Sequence, residues 1–155
     1  MTCKSCVSKN SDAVLFCGVC GMSMGGSESV ECETHPAAVA TGICVVCGRP
    51  VCGDCSATKG ARVFCKDASH AQLMETHVRF AHAENEFDAD LVVRNLAAHD
   101  VPAMAFSLKK YSRFHRFTDN PAVSLFVGKE MHETALGIVD ELELNDFLLP
   151  KDIQP

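Results

Sequence analysis

Ten cysteines and two of the seven histidines fall into six pairs along this chain. The pairs are Cys3-x-x-Cys6, Cys17-x-x-Cys20, Cys32-x-x-His35, Cys44-x-x-Cys47 and Cys52-x-x-Cys55, then Cys65 with His70 five positions on. Donors separated by two residues form a tight turn that offers both to one ion. Zinc takes four thiolate or imidazole donors in a tetrahedron, so two pairs make one centre. Twelve donors are enough for three Zn2+ ions, and every cysteine is then used. A centre built only from Cys and His leaves no coordination position open for water or substrate, so zinc there is expected to be structural.

The first two pairs, Cys3, Cys6, Cys17 and Cys20, enclose the apolar run Ala13-Val14-Leu15-Phe16. Residues 1–21 read as a short hairpin with two metal-binding turns and resemble small bacterial zinc ribbons. Gly18 and Gly21 let the second turn aim its amides at sulfur, whereas the first turn, CKSC, has no glycine. A thioredoxin-type redox pair needs a βαβ context that neither turn has.

The four pairs from Cys32 to His70 make two centres, and their spacing leaves two ways to combine them. Taken in order, Cys32, His35, Cys44 and Cys47 hold one ion and Cys52, Cys55, Cys65 and His70 the other. Interleaved, Cys32, His35, Cys52 and Cys55 form one centre, and Cys44, Cys47, Cys65 and His70 the second. The opening Cys-x-x-His, the run CVVCGRPVCGDC from Cys44 to Cys55, and the closing Cys65 and His70 resemble the B-box-type zinc finger. That resemblance covers residues 32–70, within a module read as 32–71, and implies the interleaved pairing, with Cys65 standing where many B-boxes carry His. The RING finger and coiled coil of eukaryotic ligase scaffolds have no counterpart: no heptad run occurs, and the Cys47-to-Cys52 spacing does not fit a RING.

Composition narrows the setting. The polar opening MTCKSCVSKNSD already carries metal-type spacing, so no secretory leader is expected. No apolar run approaches the roughly 18 residues of a membrane span. A reducing cytoplasm is the expected compartment, because thiols there favour zinc over disulfides. Net charge is −6 with His neutral, and loaded thiolate centres add further negative charge. Non-specific nucleic-acid binding works through the opposite sign, so charge disfavours that partner class and leaves proteins as the expected partners.

These centres need elements to hold them. Residues 22–31, rich in Gly and Ser, read as a flexible linker between ribbon and B-box, with Met22 and Met24 as linker residues rather than copper ligands. From 76 to 145 the pattern becomes β-α-β-β-α, an α+β layer. Its strands are expected over His77–Ala83, Val101–Leu108 and Pro121–Val127. Asn85 caps the first helix, whose apolar stripe is Phe87, Leu91, Val92, Leu96 and Ala98; Pro102 marks its stop. The second helix, His132–Leu142, buries Ala135, Leu136, Val139 and Leu142. The stretches FDADLVVRNLAAHDVPA and AVSLFVGKEMHETALGIVDEL resemble a small bacterial signal-transducing domain of ferredoxin-like fold, which implies a regulatory or partner-binding role. The tail, 146–155, reads as either an added edge strand or a loose end.

Outside the metal ligands, Lys109, Lys110, Tyr111, Arg113 and Arg116 lie in a basic and aromatic loop over 109–117, a candidate partner contact whose composition also suits phosphates and bases. His77, His82, His99 and His115 are expected at surfaces or core edges. His132-Glu133 lacks a second His four residues after the first, where Leu136 stands, so no metalloprotease helix forms. Neither a phosphate-binding GxxxxGK[ST] loop nor a GxSxG nucleophile turn occurs, and no enzyme is expected. The leading expectation is a non-catalytic zinc-binding interaction or regulatory protein acting in signalling. The alternatives are a nucleic-acid-associated ribbon factor using the 109–117 loop, and a thiol redox switch that releases zinc.

Overall fold

The computed structural model describes residues 1–12, 14–107 and 123–149. They divide into two compact units, one spanning Met1–Ala71 and one whose described residues are 72–107 and 123–149. No helix among the described residues is long and apolar enough to cross a membrane.

The first unit is made of turns tied together by very short antiparallel pairings. Strand β1 (Gly42–Ile43) pairs with β2 (Pro50–Val51), and β3 (Ser56–Lys59) with β4 (Arg62–Cys65). Single bridges join Thr2 to Lys9, Phe16 to Ser23 and Glu31 to Val39. Apolar side chains are few but well used: Val45, Val46, Val51, Val63 and Phe64 are all buried, and Phe16, Val30, Ala40 and Ile43 form a cluster.

Residues 22–31 are not the free linker their composition suggests. Met22 bridges to Gly42, the Ser23 amide donates to the Thr41 carbonyl (3.2 Å), and the Met24 amide to that of Leu15 (2.7 Å). Ile43 N–H donates to Gly21 O (2.8 Å) and Val63 N–H to Cys20 O (2.9 Å), so the second ribbon turn docks directly on β1 and β4. Met22 and Met24 pack against the cluster of Cys3, Cys17 and Cys20. Composition reads flexibility from Gly and Ser, but the backbone at 22–24 and at 30–31 finds strand-like partners at either end of the stretch.

Helix α1 (Ala68–Thr76) spans the boundary between the two sequence segments, where no helix is expected. Asp67 starts it: its carboxylate accepts from the Ser69 amide (3.0 Å) and hydroxyl (2.5 Å), the usual way a side chain satisfies an orphan donor of the first turn.

The second unit follows β5 (His77–Ala83), α2 (Glu86–Ala98), β6 (Ala103–Ser107), β7 (Val123–Gly128) and α3 (His132–Glu141). Its sheet has the order β5-β7-β6 with both pairings antiparallel, so β5 and β6 run the same way on either side of β7. A register shift between Arg79 and Ala81 bulges β5. Val123, Leu125 and Val127 join Ala89, Val92, Leu96, Ala135, Ile138 and Val139 in one core between sheet and helices. On the opposite face of β7, Ser124 and Phe126 are buried too, and Phe126 meets Phe106 edge to face at 5.7 Å.

Asn85 caps α2 as expected, accepting from the Asp88 amide at 2.9 Å. The buried face is Ala89-Val92-Leu96, so Phe87, two residues from Ala89, points the other way and is 77% exposed. Ala98 is exposed as well. The helix ends with Asp100 at φ 60, where Val101 N–H returns to Leu96 O (2.9 Å), a left-handed closure before Pro102. In α3, Ile138 is buried rather than Leu136, which is partly covered; Leu142 is exposed because the chain turns at Glu143 (φ 55) and buries Leu144. Residues 144–147 form a 3-10 turn, after which Leu149 N–H donates to His82 O on β5 (2.9 Å).

Candidate metal centres

Three of the Cys-x-x-Cys turns share one construction. In each, the amide of the residue after the second cysteine returns to the carbonyl of the first: Val7 to Cys3 (2.9 Å), Gly21 to Cys17 (2.9 Å) and Gly48 to Cys44 (2.8 Å). The first cysteine's amide then donates to the carbonyl five residues on, that of Ser8, Met22 and Arg49 respectively. The two bonds together go with a left-handed residue at the return point; the Cys52 turn, where Ser56 N–H returns to Cys52 O (2.9 Å), has no such residue. Gly21 (φ 75) and Gly48 (φ 70) supply it at little cost, whereas Val7 adopts φ 62 with a branched side chain.

All ten cysteines are free thiols, and their sulfurs gather with two imidazoles into three groups of four. The groups are Cys3, Cys6, Cys17 and Cys20; Cys32, His35, Cys52 and Cys55; and Cys44, Cys47, Cys65 and His70, with all ligand atoms of a group within 4.8 Å of one another. A tetrahedral zinc with ordinary bond lengths separates sulfurs by about 3.8 Å and sulfur from ring nitrogen by about 3.5 Å. In the first group Cys3–Cys20 and Cys6–Cys17 are each 3.6 Å apart. In the second, His35 Nδ1 lies 3.5 Å from Cys52 Sγ and 3.2 Å from Cys55 Sγ. In the third, His70 Nδ1 lies 3.6 Å from Cys44 Sγ and 3.2 Å from Cys65 Sγ. These separations and the soft donor sets fit three zinc ions. Of the two combinations that spacing leaves open for Cys32 to His70, the interleaved one is present.

The hairpins explain why the interleaved partners meet. The Cys44 turn leads through Arg49 into β2, which lies against β1 just before Cys44. Val45 N–H donates to Val63 O (3.0 Å), bringing β4 and its last residue Cys65 to that turn. Glu33 N–H donates to Pro50 O (3.1 Å), which sets the Cys32 turn beside the strand that runs into Cys52. His70 arrives by a different route, on the first turn of α1, three residues past the Asp67 cap. Asp67 Oδ2 also sits 3.8 Å from His70 Nε2, behind the nitrogen that faces the sulfurs. At that separation the carboxylate acts on the ring through its charge, beyond hydrogen-bond reach. The cap Asp67-Ala-Ser69 is the signal in the sequence that could have announced this helix.

Further groups surround the first cluster. Ser8 Oγ lies 3.1 Å from both Cys6 Sγ and Cys17 Sγ, and Asn10 Nδ2 donates to Cys17 Sγ (3.5 Å) while its carbonyl accepts from Gly18 N–H (2.9 Å). Burial works to raise the Cys17 thiol, but the Ser8 hydroxyl and the amides of Cys20 and Val19 outweigh it and hold it at about 6. Burial, with neighbouring thiols, pushes Cys20 up. The same division recurs elsewhere. Burial opposes ionisation of Cys32, yet the amides of Cys52, His35 and Thr34 bring it to about 6. Its hydrogen bond with Cys44 lowers Cys47, and the Cys44 thiol together with burial lifts Cys65 to about 12. Each cluster thus favours a first thiolate and resists the last ones. A divalent cation removes that resistance by displacing the remaining protons.

Among the described residues, the other histidines are not brought to a cluster. His77 is half-buried and His99 exposed, but His82 is 1% exposed, not at a surface or core edge as expected. It lies across from Ser124 on a central strand covered on both faces, and the two side chains meet at 3.3 Å. Lys109, Lys110, Tyr111, Arg113, Arg116 and His115 lie outside the described residues, as does the tail from 150. Comparison with known protein families, curated proteins and solved structures finds no match to this chain.

Proposed function

We propose that this chain is a non-catalytic zinc protein in which three structural ions hold an interaction surface in shape. The observation that carries the reading is the donor chemistry: each cluster offers four Cys or His atoms at tetrahedral spacing, and a zinc so enclosed has no position left for water or substrate. The cross-tied second and third clusters support a B-box-like module over 32–71. Support for a ferredoxin-like reading of the second unit comes from its β-α-β-β-α order, the sheet order β5-β7-β6, and the Leu149-to-His82 hydrogen bond. That bond runs along the outer edge of β5, where such a fold carries its fourth strand. A module of this type joined to a small α+β domain suits protein–protein contact in regulation.

The test is capture of binding partners by the zinc-loaded chain and by its Cys44→Ser variant, with elemental analysis of both. The expected result is three zinc per native chain and protein partners that the variant fails to retain. Salt-sensitive retention of RNA or DNA, lost on Arg113→Ala with Arg116→Ala, would replace this reading with the nucleic-acid one. Pure reduced protein without a transition metal would end both.

A further inference from the structure

The three clusters are not equally protected. The first has three buried ligands and one half-buried, and the third has two of each. The second contains His35, the one exposed ligand among the three groups, together with half-buried Cys55. His35 rides on a loop whose residues 33–37 and 39 are exposed, closed by the hydrogen bonds Cys32 N–H to Ala38 O and Ala38 N–H to His35 O (each 2.8 Å).

Outer support differs in the same direction. Ser8 and Asn10 brace the first cluster from a turn of its own hairpin, and Asp67 backs His70 in the third. The polar contacts of the His35 ring among the described residues go to sulfur alone. Thr34, which donates to the Cys55 sulfur, belongs to the same exposed loop. Loss of such a supporting partner ordinarily weakens a metal site by about 10–100-fold.

The loop can also open without dismantling its unit. Ala40 N–H donates to Val30 O (2.7 Å) at its base, and Val30 and Ala40 are packed with Phe16 and Ile43. Everything that must move lies beyond that clamp.

We propose that the Cys32–His35–Cys52–Cys55 centre is the exchangeable one, giving up and regaining zinc while the other two stay loaded, so that metal supply sets the order of the 31–39 loop. This rests on the reading of the clusters as zinc centres. The full-length zinc-loaded chain is titrated with EDTA and followed by native mass spectrometry. Each step is also pulsed with iodoacetamide and mapped by peptide.

The expected course is a discrete two-zinc species, formed at roughly 10- to 100-fold lower chelator than further loss. Its alkylation should fall on Cys32, Cys52 and Cys55, and amide exchange should quicken over 32–38 but not over 42–47. First alkylation at the cysteines of another centre, or departure of all ions together, would overturn the proposal. No zinc retained after reconstitution with excess zinc, before any EDTA is added, would instead sink the zinc reading, and the proposal with it.

Discussion

Val7 occupies a position that its two sister turns give to glycine. Its φ of 62 costs a branched residue about 1–2 kcal/mol, and its side chain, 76% exposed, recovers little by packing. Glycine there would relieve the strain but add freedom to the unfolded chain, an opposing effect of about 0.5–1 kcal/mol. Val7→Gly should therefore stabilise the zinc-loaded first unit by roughly 0.5–1 kcal/mol, read as a higher denaturation midpoint. The converse change, Gly21→Ala, should be severe. A Cβ at Gly21 would stand 2.1 Å from Ile43 O, against backbone that docks the ribbon turn on β1. An unchanged or lower midpoint for Val7→Gly would show that the strain is absorbed elsewhere.

At the scale of elements, β7 is the strand on which the second unit depends, and His82 records how closely it is enclosed. Burial, reinforced by the Arg79 charge and opposed only by a hydrogen bond to the Val123 backbone carbonyl, lowers the His82 imidazole from 6.5 to about 3. The folded unit therefore resists a proton that the unfolded chain accepts. The stability this confers is complete above pH 6.5 and is lost as pH falls from there toward about 3. The steepest slope is about 1.4 kcal/mol per pH unit, so roughly 2 kcal/mol should disappear between neutrality and pH 5. Urea unfolding followed through β7 amides at the two pH values measures it. His82→Gln should flatten the pH dependence whatever it does to stability at pH 7. Equal losses in native and variant protein would count against this account.

For the whole molecule, the two units are stabilised by different means. The second has a continuous apolar core from Phe80 through Leu144. The first has a small cluster around Phe16 and Ile43, short strands, and three groups of sulfur and imidazole that fit zinc. A structural zinc is worth about 10–16 kcal/mol of apparent binding energy near neutral pH, far more than a domain's usual net stability of about 5–15 kcal/mol can spare three times over. Exhaustive chelation under reducing conditions should unfold residues 1–71 and leave the β5-β7-β6 sheet protected. Amide exchange on the intact chain distinguishes the halves. Continued protection of residues 42–47 and 62–65 without metal would contradict a metal-built first unit.

Much of this was legible in the residues alone. Donor identity and local spacing depend on a few adjacent dihedrals, so the six ligand pairs, the count of three centres, the Asn85 cap and the order of strands and helices in the second half could be read directly. Burial and partnership are set by residues far away in the chain, and there local reading stopped. The spacing of Cys32 to His70 allows two pairings, and the contacts of β2 and β4 with the metal-binding turns decide between them. Gly and Ser at 22–31 indicate freedom, until strand-like hydrogen bonds to Leu15 and Thr41 tie down the start of the stretch. A lone histidine carries no mark of depth, so only the second covered face of β7 makes His82 a core residue. Short-range geometry belongs to the sequence; which distant backbone lies alongside is decided when the chain closes on itself.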